Sequence, residues 1–230
     1  MVMPKFTPFL FGLAVSEPKA PDVRTAVGDL PDEILALVLA ALVGLNGDYR
    51  SWYGARSVSR RWRAVAVQCL PRVDFTGCDL LPDGAVVALS AAWPTLTQVL
   101  FGECDLLTAL AVSALAAGCP GLTSVNFMMC TRLTDAAVVA LAKGCAGLTS
   151  VAFKWCNLLT DAAVVALAAG CPGLTSVDFS RCYLLTAASV VALAKGCPGL
   201  TSVNFEECTK LTDAAVAALA AGCPGCSIER

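Results

Sequence analysis

Cys119, Cys145, Cys171, Cys197 and Cys223 stand 26 residues apart, and each of the first four opens nearly the same sentence. From Cys119 it reads CPGLTSVNFMMCTRLTDAAVVALAKG, and the copies from Cys145, Cys171 and Cys197 keep its LTSV and ALA segments. Extending the frame backward adds WPTLTQVLFGECDLLTALAVSALAAG from Trp93 and the more degraded VQCLPRVDFTGCDLLPDGAVVALSAA from Val67, which makes six units. A fixed period of this length constrains the fold more than any local propensity. No single unit can bury all its apolar positions, so neighbours must stack, and roughly three are needed before the array is stable.

Spacing within a unit predicts its parts. Leu122, Val125 and Phe127 end in strict alternation, the period of a short strand with one buried face. Thr134 is placed to cap a helix, and Asp135 falls in the first turn, where the helix dipole favours a carboxylate. Val138, Leu141 and Ala142 form one apolar stripe, and Gly144 reads as the stop. Strand, loop, helix and return give an α/β solenoid. Parallel strands lie closer together than helices, so the sheet takes the inside of the curve.

The same frame assigns the aromatic and sulfur residues. Six of the nine Phe share one register, at Phe75, Phe101, Phe127, Phe153, Phe179 and Phe205, which predicts a ladder of core rings. Of the 13 Cys, Cys78, Cys104, Cys130, Cys156, Cys182 and Cys208 recur at the strand-to-loop corner, and five more open units. No His is present, and Cys intervals alternating between 11 and 15 residues follow the repeat instead of a zinc pattern. These thiols are expected to be free, metal-free and structural. Cys223-Pro224-Gly225-Cys226 has redox-motif spacing, yet its first three residues are the opening of a seventh unit. An unpaired-thiol ladder belongs in a reducing compartment, the cytoplasm or nucleus.

Composition narrows the function. A formal net charge of −2 gives no field to steer the chain onto a polyanion or an anionic membrane. The six basic residues between Arg50 and Arg72 sit among Trp52, Val58, Trp62 and Val65 at helical spacing, as a solvated face does. Without His there is no His-based catalytic dyad or triad, and each unit's Gly follows a helix where a phosphate loop would precede one. No catalytic residue, cofactor or metal is expected.

Ahead of the repeats, Lys5 and the apolar stretch Phe6 to Val15 loosely imitate a secretory signal, but Pro8 and Gly12 interrupt it. Residues 1–28 are expected to be a disordered leader. Asp29-Leu30-Pro31-Asp32-Glu33 reads as a helix start, and after the GLNGDY segment a second amphipathic stretch carries Trp52, Val58, Trp62 and Val65, so residues 29–66 suit a three-helix module.

The pattern C-P-x-L-x-x-V-x-F-x-x-C-x-x-L-T-D over Val67 to Gly222 resembles the cysteine-containing leucine-rich repeats of F-box proteins. Directly before it, LPDEIL and the VSRRWRAVA of Val58–Ala66 resemble the two ends of an F-box, with Ser59 where that family typically has Cys and GLNGDY inserted between helices. The resemblance implies that Leu30, Pro31, Ile34, Leu35, Val58 and Trp62 dock on a Skp-family adaptor of a cullin-based ubiquitin ligase, while the repeats take a protein target. A plain interaction scaffold, with residues 29–66 as a helical cap on the first repeat, is the competing reading. Residues 67–222 are then the repeat array and 223–230 a truncated seventh unit.

Variation between units marks the candidate docking face. Positions flanking the Phe differ most: Asn126, Met128 and Met129; Ala152, Lys154 and Trp155; Asp178, Ser180 and Arg181; Asn204, Glu206 and Glu207. Alternation is expected to turn the residues beside and one past the Phe away from the core, onto the concave sheet face. Met128, Trp155 and Arg181 are the anchor types of protein interfaces, with Glu206 and Glu207 an acidic end. At Trp155, on the strand's last residue, core packing of the indole competes with exposure.

Overall fold

The computed structural model describes residues 71–230. The expected leader over 1–28, the F-box-like module over 29–66 and its residues Leu30, Pro31, Ile34, Leu35, Val58 and Trp62 lie outside the described residues.

Strands and helices alternate from end to end: β1 (Arg72–Asp74), α1 (Asp83–Ala92), β2 (Gln98–Leu100), α2 (Ala109–Gly118), β3 (Ser124–Asn126), α3 (Asp135–Gly144), β4 (Ser150–Ala152), α4 (Asp161–Gly170), β5 (Ser176–Asp178), α5 (Ala187–Gly196), β6 (Ser202–Asn204), α6 (Asp213–Gly222) and β7 (Ser227–Glu229). All seven strands form one parallel sheet in sequential order, and Val99, Val125, Val151, Val177 and Val203 lie side by side across it. Each helix packs on the next, so the molecule is a solenoid of strand-helix units, as the period predicts.

Between sheet and helices lies a core in columns. The rings from Phe75 to Phe205 stack with centroids 5.6–6.2 Å apart and are all buried. Leu96, Leu122, Leu148, Leu174 and Leu200 form a second buried column. In α3 the buried side is Ala137, Val138, Leu141 and Ala142, the expected stripe widened by one residue.

Polar ladders at the same period explain why LTSV recurs. The Thr97 hydroxyl donates to the Pro71 carbonyl at 3.0 Å, Thr123 to Thr97 at 3.1 Å, and Thr149, Thr175 and Thr201 continue the series. The corner thiols of Cys104, Cys130, Cys156, Cys182 and Cys208 each donate to the Phe carbonyl of the preceding unit at 3.0–3.2 Å. Opening thiols form a parallel ladder in which Cys145 donates to the Cys119 carbonyl at 3.5 Å and Cys171 to that of Cys145 at 3.5 Å. A thiol is small enough to be buried between units and still supplies a second donor to a carbonyl that already accepts a backbone N–H in its own unit.

Gly144 is the last residue of its helix and Asp135 lies in the first turn, as expected, and the structure adds a reason for each. Gly144 does not end its helix by adopting a left-handed cap: among the described glycines only Gly77 and Gly225 have positive φ. The constraint is space, because a Cβ on Gly144 would lie 2.4 Å from the Ala116 carbonyl oxygen of the preceding unit, and Gly118, Gly170 and Gly196 are equally crowded. Helix-start carboxylates also do more than oppose a dipole. Asp83, Asp135 and Asp161 accept from both the backbone N–H and the hydroxyl of the next unit's Thr, Thr108, Thr160 and Thr186, at 2.8 Å and 2.5–2.6 Å.

Beyond α6 the chain forms a strand of its own. Register shifts from 26 residues to 25, with Ser202 beside Ser227 and Val203 beside Ile228. Cys226 repeats the Leu200 backbone bond, to the Cys223 carbonyl at 3.1 Å, and Gly225 takes φ +88° one residue before it. Arg230 reaches back to Asp213 and to the Leu211 carbonyl, supplying the partner that Asp213 would otherwise find in a following Thr.

Candidate protein-docking face

The site is built by the turn that leaves each strand. Strand β3 stops at Asn126, and the chain turns through Phe127, Met128, Met129 and Cys130, closed by a Cys130 N–H to Phe127 carbonyl bond of 3.1 Å. Met129, third in that turn, has φ +61°. Its counterparts one unit apart do the same: Glu103 (64°), Trp155 (64°), Arg181 (63°) and Glu207 (59°), with Gly77 (81°) heading the row. From Gly77 to Arg181 each N–H of the row is fixed by the next unit, Met129 to the Lys154 carbonyl at 2.7 Å and Trp155 to that of Ser180 at 3.0 Å.

This left-handed position decides which way the side chains face. Strict alternation would return residues two beyond the Phe to the core, but positive φ swings them outward. Met129 is 39% exposed, Glu103 and Glu207 are exposed, and Trp155 and Arg181 are half-buried. Trp155 is therefore not a core residue. A turn with positive φ at its third position favours glycine, and a bulky residue there costs about 1–2 kcal/mol. Gly77 shows that glycine fits, yet the next five units keep Glu, Met, Trp, Arg and Glu.

The central row is internally braced. The Arg181 guanidinium carbon lies 4.5 Å from the centroid of the Trp155 ring, and Arg181 is ion-paired with Glu207. Tyr183 meets Trp155 edge-on, with centroids 6.2 Å apart and planes at 83°. Cation-π and edge-to-face contacts hold the indole without burying it. Arg181 Nε and Asn157 Oδ1 are buried and have no hydrogen-bond partner among the described residues.

The other expected residues divide. Asn126, Asp178 and Asn204 each accept from the N–H two residues on, at 2.8 Å, so their side chains shape the turn. Met128 and Lys154 are half-buried, and Glu206 is exposed beside them. Ser180 departs from its expected facing: it is fully buried, and its hydroxyl donates to Asp178 at 2.7 Å. Sequence reasoning missed Glu103, although the 26-residue frame places it one unit before Met129. It also missed Tyr183 and the exposed Leu158 and Leu184 on the loops after the corner Cys, because variation was sought only beside the Phe.

The thiols beneath this face are held protonated. Burial pushes the Cys130 and Cys182 thiols up to about 12 and the opening thiols of Cys119, Cys145, Cys171 and Cys197 to about 11, far from nucleophilic at neutral pH. The described cysteines are free, and no group of three or more His, Cys, Asp or Glu among the described residues could hold a metal ion. No described helix is long and apolar enough to cross a membrane.

No protein-family model matches the chain, and no curated protein sequence matches it. Among solved structures it is similar to a chain in the crystal structure of the Rad7 and Elc1 complex in yeast, at 26% identity and a TM-score of 0.57, over 66% of this chain and 38% of that one. It is also similar to the leucine-rich repeat-containing protein LegL7 from Legionella pneumophila, at 13% identity and a TM-score of 0.47, over 70% of this chain and 56% of that one. A further match, in the TLR13–ssRNA13 complex, has 19% identity and a TM-score of 0.49, covering 66% of this chain and 21% of that one. This chain thus spans less than two thirds of each of these three chains. With its sequential parallel sheet, its stacked helices and its columns of Leu, Val and Phe at one period, the fold is a leucine-rich-repeat solenoid.

Proposed function

We propose that this chain is a non-catalytic, substrate-recruiting subunit of a Skp-cullin-type ubiquitin ligase, holding its protein target on the concave sheet face. The observation that carries the docking half is the left-handed row Glu103, Met129, Trp155, Arg181 and Glu207. A chain under selection for stability alone would place glycine there, as at Gly77. Keeping large side chains at a strained position is the mark of a binding surface.

The adaptor half rests on LPDEIL and VSRRWRAVA standing directly before the repeats. It is supported by the likeness to a chain solved in the complex of Rad7 with Elc1. In this reading Leu30, Pro31, Ile34, Leu35, Val58 and Trp62 contact the adaptor. Free thiols throughout the repeats support a reducing compartment, the cytoplasm or nucleus.

Co-purification of the full chain with a recombinant Skp-family adaptor tests the proposal. The wild type is expected to bind, and the double substitution Leu30→Ala, Pro31→Ala to abolish binding without changing the melting of the repeats. A wild type that binds no such adaptor selects the plain interaction scaffold instead.

A further inference from the structure

Charge is divided unevenly along the array. Residues 71–118, in the first two units, carry five acidic side chains and one basic, Arg72, whereas residues 119–230 carry seven of each. Arg72 is ion-paired with Asp74, and Asp83 accepts from Thr108. Asp79, Glu103 and Asp105 are exposed and have no ion pair among the described residues. The same two units expose leucine: Leu110 at 63% and Leu80 at 52% exceed every other large hydrophobic residue described, and Leu106 is half-buried. Packing requires neither kind of residue. At the position of Leu110 the repeat frame has Gly84, Ala136, Ala162, Ala188 and Ala214, and at that of Asp79 and Asp105 the later units have Thr131, Asn157, Tyr183 and Thr209.

From this coincidence we infer that the rim of strand-to-helix loops in the first two units docks a basic amphipathic protein segment, its apolar side chains on the leucines and its Arg or Lys on the carboxylates. Apolar surface edged by unpaired charge is the make-up of an interaction site, and the sign of the charge selects the partner. The rim is held rigid. Leu110 N–H donates to the Thr108 hydroxyl at 3.2 Å, Thr108 is clasped by Asp83, and Glu103 N–H donates to the Met128 carbonyl at 2.7 Å. Asp79 and Asp105, like Leu80 and Leu106, stand one unit apart, about 5 Å at strand spacing, so neighbouring turns of one segment reach both. Arg132, exposed on the corresponding loop of the third unit, ends the acidic stretch. Beyond it Lys154, Arg181 and Lys210 mix with the acids of units that carry no net charge. A polyanion is repelled here, and no group of three acids among the described residues could hold a metal ion. The inference goes beyond the docking reading above, because it needs neither Trp155 nor the adaptor.

The test uses the full chain and fluorescence anisotropy of labelled synthetic dodecapeptides. The probe sets two Leu one helical turn apart among several Arg; one control replaces every Arg by Glu, and a second replaces both Leu by Ser. The Arg probe should bind at least about tenfold more tightly than either control, with affinity falling as salt rises. The triple variant Asp79→Thr, Asp105→Thr, Leu110→Ala takes residues that other units already use at these positions, so it should melt close to wild type while binding the probe about tenfold or more weakly. Trp155→Ala should leave probe affinity within about twofold. The inference is overturned if the Arg probe does not bind, if either control binds equally, or if the folded triple variant keeps wild-type affinity. Binding lost in Trp155→Ala and kept in the triple variant moves the partner to the middle of the face and overturns it as well. Probe binding seen only after Arg60→Glu, Arg61→Glu and Arg63→Glu together assigns the rim to the chain's own basic segment, again against the inference. None of these results bears on adaptor binding through Leu30 and Pro31.

Discussion

Asp135, the first residue of one helix, accepts two hydrogen bonds from Thr160, the residue before the next helix: from its N–H at 2.8 Å and from its hydroxyl at 2.6 Å. One carboxylate thereby satisfies an orphan helix-start donor and ties two units together. Where another helix follows, the clasp is present if the unit offers Asp, at Asp83, Asp135 and Asp161, and absent if it offers Ala, at Ala109 and Ala187. Thr134, which follows Ala109, makes no side-chain cap bond.

Removing and adding clasps should therefore change stability in opposite directions. Asp135→Ala should cost about 1–3 kcal/mol, since charge-assisted bonds are lost and Thr160 is left half-buried. Ala109→Asp, which offers Thr134 a carboxylate, should raise stability by about 1 kcal/mol. Urea denaturation of both variants checks this, and a destabilised Ala109→Asp would show that the clasp depends on more than the carboxylate.

Glycines at two places in the unit should respond differently to one added methyl group. Gly144→Ala puts a Cβ 2.4 Å from the Ala116 carbonyl oxygen, so the helices must move apart at a cost of about 2 kcal/mol or more. Gly121→Ala meets nothing closer than 3.9 Å and should stay within about 0.5 kcal/mol of wild type. Unit two already carries Thr95 at that place. Comparable losses in calorimetry would contradict the steric account.

Stability and binding should separate along the left-handed row. Phe153→Ala opens the stacked core and should cost about 3–5 kcal/mol of folding. Trp155→Ala loses only a half-exposed ring on Arg181 and Tyr183, and should cost less than about half as much. Met129→Gly should raise stability by about 1 kcal/mol by relieving positive φ, while weakening partner binding. If Trp155→Ala lowers the melting temperature as far as Phe153→Ala does, Trp155 is not a docking residue.

Alkali should unfold the protein through its buried thiols. In the unfolded chain a thiol ionises near its ordinary value of 9.0, whereas Cys119, Cys145, Cys171 and Cys197 are held up to about 11 and Cys130 and Cys182 to about 12. Above pH 9.0 the unfolded state binds fewer protons than the folded one, so stability falls as pH rises toward 11–12 and is untouched by these groups below 9.0. A melting temperature flat from about pH 6 to 8 and falling steeply above 9 is expected. Of the described cysteines, native thiol titration should find only Cys78 and Cys226, the two that are not buried.

The 26-residue period determined the architecture by itself. Any chain repeating Leu, Val and Phe at one spacing, six times over, has a single way to bury them all, which is to stack its units in register. The capping Thr, the Phe column and the unpaired thiols followed from that one constraint. What the period could not show is what one unit does to its neighbour in space. Gly144 ends its helix as read, but only the structure shows the Ala116 carbonyl where its Cβ would be; Asp135 lies in the first turn as read, but only the structure shows Thr160 against it. The docking face divided along the same line. Variation beside the Phe marked Met129, Trp155, Arg181 and Glu207 as candidates, but alternation alone would send them to the core. Only the tertiary structure turned them outward, each turn taking the left-handed region, where the local sequence on its own would favour glycine, and the N–H groups of Met129, Trp155 and Arg181 being held by the next unit's carbonyls.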